Sequence, residues 1–169
     1  MFFFPLLLWL HIFSAVGWLG AAMVFGMLIG PTLPTLYPAA RGELILKLFP
    51  KYVRWAEAFT LMTVIFGVLL VADISNGNMS VFSLSTSLGL YITTGAILAL
   101  IAAIMGFAVI APSAHKVYRL TEEMVKNSTP PSPELPKASA RLRMSATVSL
   151  VLLVLVLIFM VAGATGVAV

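Results

Sequence analysis

Four long apolar stretches, at about residues 3–29, 52–72, 88–110 and 145–167, set what this chain can become. Crossing the hydrocarbon of a bilayer takes about 20 residues at 1.5 Å rise each, and every stretch reaches that length. Lipid offers no partner to backbone N–H and C=O groups, so segments of this kind are helices. Composition agrees: 61% of residues are hydrophobic and 9% charged, at a mean hydropathy of +1.08. A soluble domain carries roughly a quarter charged residues, so a water-soluble globule and a disordered chain are both excluded. The first stretch lacks a basic leader and is too long for a signal peptide, which predicts a retained span. The chain has no cysteine, which removes disulfides, thiolate metal sites and cysteine nucleophiles.

Charge placement orients the spans. The basic residues are Arg41, Lys47, Lys51, Arg54, Lys116, Arg119, Lys126, Lys137, Arg141 and Arg143, all in or beside the first and third connections. The middle loop, residues 73–87, has none and carries Asp73. The positive-inside rule then puts the first and third connections in the cytoplasm, with both termini outside. The expected fold is a single all-α domain, an antiparallel up-down four-helix bundle in the cell membrane, with no evident internal repeat. Its cytoplasmic basic surface would meet anionic lipid headgroups rather than nucleic acid, since only Tyr118 offers a ring for stacking.

The connections have their own signals. Pro31, Pro34 and Pro38 predict a turn, then residues 43–49 a short interfacial helix ended by Pro50. The third connection, residues 111–144, starts at Pro112, expected to close span three. Residues 113–126 follow as an amphipathic extension, with Val117, Leu120 and Met124 on one face and Glu122 placed to pair with Lys126. Residues 127–136 contain four prolines and predict an extended linker. Gly26 with Gly30, Ala102 with Gly106, and Ala162 with Gly166 have the four-residue spacing that permits close helix approach. Asn78-Met79-Ser80 is a glycosylation sequon on the expected outer side.

Ionisable groups inside spans are costly and point to function. His11 falls roughly 12 Å below the outer surface at helical rise, with Ser14, Ala15 and Trp18 on neighbouring turns of one face. A buried imidazole beside small residues and an aromatic suits a haem wall, and equally a histidine bonded to a backbone carbonyl or to Thr93 or Thr94. Glu57, one turn into span two, can pair with Arg54 or act as a proton-handling carboxylate. His115 lies at the far face, about 18 Å from His11 across a core of about 30 Å, so the two cannot flank one iron in a single protomer. Met23 and Met27, at i,i+4, offer thioethers that suit copper(I), although lipid-facing packing also uses methionine.

The run Leu10-His11-Ile12-Phe13-Ser14-Ala15-Val16-Gly17-Trp18-Leu19-Gly20 resembles the first span of the copper-resistance protein D family and the HemJ-type protoporphyrinogen oxidases. These are small four-helix membrane proteins with a first-span His followed by Trp seven residues later. Leu48-Phe49-Pro50-Lys51-Tyr52 is similar to the start of span two in a related branch. The resemblance covers about residues 6–72. It implies that His11 is an axial ligand of a b-type haem, with electron transfer, porphyrin handling or an oxidoreductase activity as the function. The HemJ branch has an Arg near the inner end of span one where this chain has Met27, which counts against porphyrinogen oxidation. Two other expectations stand beside it. One is a non-haem transport or copper-tolerance protein using His11, Met23, Met27 and Glu57. The other is a structural subunit of a homo-oligomer or larger membrane complex.

Overall fold

The computed structural model describes residues 3–76 and 79–165. Among these the chain forms four long helices: α1 (Phe4–Thr35), α2 (Pro38–Ser75), α3 (Ser87–Asn127) and α4 (Glu134–Thr165). In the most apolar window of each, only 17 to 22% of residues are buried within the protein. Water would not tolerate four helices presenting so much hydrocarbon, whereas lipid does. The chain is a multi-pass membrane protein.

The helices are longer than their apolar stretches because the connections are helical too. Pro50 does not end a short helix; it lies inside α2, which continues to Ser75. An interior proline removes a hydrogen bond at a cost of about 3 kcal/mol or more. Burial of its neighbours Ile45, Phe49 and Val53 offsets it. Pro31 and Pro34 belong to the end of α1, and the chain turns at Leu36 and Tyr37 instead. Arg41 secures that turn, its Nη2 donating to Pro34 O and Leu36 O at 3.0 Å each. The extended linker shrinks to residues 128–133, with Pro136 in the opening turn of α4. Asp73 lies in the last turns of α2 rather than in a loop. Thr86 caps α3 by accepting the Gly89 N–H at 3.1 Å.

Pro112 does not close span three either. Both α1 and α3 meet their proline through a widened π turn, Val24–Ile29 in α1 and Gly106–Ile110 in α3. Gly30 N donates to Phe25 O and Ala111 N to Gly106 O, each five residues back and each one residue before the proline. A proline ring collides with the carbonyl four residues earlier and has no N–H to offer. One extra residue in the turn moves that carbonyl aside while the helix continues. In both helices an Ala-Ala pair, Ala21-Ala22 and Ala102-Ala103, precedes the proline by the same spacing. Ala21 and Ala102 are almost wholly buried. This local echo between the first and third spans is hidden in sequence by the uniform apolar background.

Two cores hold the bundle. The larger joins Phe25 of α1, Ile45, Phe49 and Val53 of α2, Val117 and Leu120 of α3, and Ala138, Leu142 and Ala146 of α4. It therefore gathers the basic halves of α2, α3 and α4 at one end. There Lys116 and Glu134 tie α3 to α4 at 2.6 Å. The amphipathic reading of residues 113–126 holds, with Val117 and Leu120 buried and Met124 half-buried. Its expected Glu122–Lys126 pair is replaced: Glu122 accepts from the Tyr118 hydroxyl at 3.1 Å, and Arg119 meets Glu123 at 3.8 Å. The smaller core, in the apolar part, packs Trp18 against Ala102, Ala103 and Leu153. Of the small-residue pairs, Gly26 faces Leu150 and Gly30 is buried, whereas Gly106 faces open space. Gly166 and Asn78 of the sequon lie outside the described residues.

Candidate functional site

His11 is half-buried against α2. Its Nδ1 lies 3.0 Å from Thr63 O. A carbonyl only accepts, so Nδ1 carries a proton and donates it to Thr63 O. The partner is thus a backbone carbonyl on the second helix, not Thr93 or Thr94 of the third. The imidazole lies against bare backbone at Gly67, where a β-carbon would sit 3.0 Å from His11 Cε1. Glycine lets the ring approach this closely, and no unusual backbone angle is involved.

His11, Ser14, Ala15 and Trp18 share one face of α1. Ser14 is fully buried and commits its hydroxyl to Leu10 O and His11 O at 2.7 and 3.0 Å. Trp18 belongs to the smaller core, and Ala15 is half-buried. The lining of the cavity beside Glu57 includes Trp18 but not His11. Met23 and Met27, 44% and 61% exposed, present their thioethers outward from the bundle. His115 is exposed at the basic end beside Lys116. Among the described residues no group of three His, Asp or Glu side chains is placed to hold a metal ion.

The chemistry gathers elsewhere. A cavity of about 60 Å³ lies among all four helices, where the smaller core gives way to the larger. Both π turns border it, through Phe25 in α1 and through Gly106, Phe107 and Ile110 in α3. Such turns are frequent at functional sites because they re-aim side chains without ending a helix. The second cavity, about 490 Å³, lies at the surface between Pro31 of α1 and Arg143 and Met144 of α4.

Glu57 lines the 60 Å³ cavity. The expected pair with Arg54 does not form, for the arginine is exposed and Glu57 makes no salt bridge among the described residues. Around it are Tyr52, Thr60 and Ser149. The Tyr52 hydroxyl donates to Ala21 O at 2.8 Å, just before the π turn of α1, and Thr60 donates to Ala56 O at 2.8 Å. Most buried hydroxyls here bond to their own helix, as Ser14, Thr63, Thr121 and Ser145 do. Ser149 does not. It is 4% exposed and its hydroxyl makes no hydrogen bond among the described residues. The remaining wall is apolar and aromatic, with Trp18, Phe25, Phe49 and Phe107.

Sequence reasoning reached Glu57 but gave it the wrong neighbour, and it missed Tyr52, Thr60 and Ser149. A serine at the start of an apolar span, two and four residues after Thr147 and Ser145, was the available signal for one of them. The chain matches no protein-family model, no curated protein and no solved structure.

Proposed function

We propose that this protein is a solute-binding membrane bundle, in a transport or solute-handling role, with Glu57 as its proton-exchanging group. Its helices run up and down, with the basic connections against anionic headgroups in the cytoplasm and both termini outside the cell membrane. The observation that supports the reading is an acidic side chain lining a cavity among the four apolar helices, with no salt bridge among the described residues. A carboxylate at low dielectric is costly unless a positive charge accompanies it. With no Lys, Arg or His in the cavity wall, that charge arrives from outside, as a proton or as a bound cation. Alternate arrival of the two is the elementary step of proton-coupled binding.

Reaction with dicyclohexylcarbodiimide, which attacks protonated carboxyls in apolar surroundings, tests this. The expected result is preferential labelling of Glu57, located by peptide mass spectrometry, over Glu43, Glu122, Glu123 and Glu134. Labelling of Glu57 no faster than these exposed groups refutes the proposal.

A further inference from the structure

We infer that the cavity takes a small organic cation of the ammonium class. The inference rests on the Glu57 cavity proposed above and adds the chemical identity of its occupant. Charge is the first argument. Glu57 is the one acidic or basic side chain in the wall, so the site is anionic whenever it is ionised.

The hydrogen-bonding inventory is the second. The Tyr52 and Thr60 protons are committed to Ala21 O and Ala56 O. Toward the cavity those two oxygens only accept. An ionised Glu57 also only accepts, and Ser149 holds the single hydroxyl proton left uncommitted. A wall so rich in acceptors favours a ligand that donates, or one that is positively charged.

The third argument is the apolar remainder. Trp18, Phe25, Phe49, Tyr52 and Phe107 all border the space. Phe25 packs with Phe49 at 5.8 Å and with Tyr52 at 5.3 Å between ring centroids. Aromatic faces attract cations, and methylated ammonium groups bury their carbon surface against rings while keeping their charge. Hard inorganic cations fit poorly, since calcium and magnesium seek about six or more oxygen ligands. Size is the last constraint. About 60 Å³ is several times the roughly 10–15 Å³ that admits a single water, space for a small ligand rather than a large one.

Trp18 lines the cavity and reports its occupancy once Trp9 and Trp55, both exposed, are replaced by phenylalanine. In nanodiscs of that Trp9→Phe, Trp55→Phe protein, methylammonium and tetramethylammonium are expected to shift Trp18 emission saturably. Glu57→Gln should weaken the response about tenfold or more, and Phe49→Leu by several-fold. Tetramethylammonium should also slow carbodiimide labelling of Glu57 in the wild-type chain, a readout that needs no substitution. If neutral tert-butanol binds as well and Glu57→Gln changes nothing, the cation assignment is overturned. It is likewise overturned if no ammonium probe shifts the emission or protects Glu57. In either case preferential labelling of Glu57 would leave the proton-exchanging reading standing, whereas loss of that labelling sinks both.

Discussion

Leu142 and Leu153 lie on the same helix and are 3% and 4% exposed, yet they belong to different cores. Leu142 sits between Arg141 and Arg143 in the basic-end core, where the unfolded reference is water. Leu153 sits beside Trp18 in the apolar core, where the reference is lipid. Truncation to alanine removes three carbons in each case. At the basic end this forfeits about 2 kcal/mol of transfer free energy, at about 0.8 kcal/mol per methylene. The void left behind adds about 1 kcal/mol. Leu142→Ala should therefore cost about 3 kcal/mol, and more if the new void merges with the cavity it already borders. For Leu153→Ala the transfer contribution vanishes because lipid tails are as apolar as leucine, leaving about 1 kcal/mol of lost packing. Reversible unfolding in mixed micelles with increasing dodecyl sulfate, followed by circular dichroism, measures both. Equal costs, or a larger cost at Leu153, would refute the assignment of the two cores to water and to lipid.

Further outcomes follow from the same geometry. Lys116 donates to Glu134 and its charge stands beside it, which holds the Glu134 carboxyl below the ordinary carboxylate range. A group with a lowered folded value contributes stability above the unfolded value of about 4 and loses it as pH falls through the folded one. The protection of the Ser128 and Thr129 amides, which bond to Val125 O and Met124 O, measured relative to intrinsic exchange at each pH, should therefore fall on acidification below about pH 4, and Glu134→Gln should abolish that change. A pH response that persists in that variant would show that the tie is not the cause. Whether His11 holds a haem is read from the Soret region of protein expressed with ample haem: a band that disappears in His11→Ala assigns the ring to this imidazole, and the lack of any His11-dependent band removes the haem reading.

Much of the molecule was legible because the bilayer is a severe solvent. The number of spans, their helical nature and the clustering of all basic residues at one end of the bundle follow from hydropathy and charge alone, since lipid leaves the backbone one option. The amphipathic face of Val117 and Leu120 was legible for the same reason, being read by water on one side. The prolines misled. Pro50 and Pro112 look like stops in isolation, and each was overridden by something nonlocal or by one shifted hydrogen bond: a buried core around Pro50, a π turn before Pro112.

The candidate site was less legible still. Glu57 stood out as a carboxylate beside a span, but helical spacing named Arg54 as its partner, and a long arginine is freer in water than beside its neighbour. Ser149 carries no pattern at all. In sequence it is one of three hydroxyls with Ser145 and Thr147, and only the packing of α4 against the other three helices puts it in a cavity wall.

Sequence by itself determined that this chain lives in a membrane, with four helices and one basic end, because the cost of placing charge and bare backbone in hydrocarbon leaves no alternative. Tertiary structure alone decided which polar groups are used up and which are left over. His11 is taken by the Thr63 carbonyl, and Tyr52 by the carbonyl ahead of the π turn in α1, while Glu57 and Ser149 are left facing a void. Hydrogen bonds between distant helices have no signature in local periodicity, so the difference appears only once the helices are packed.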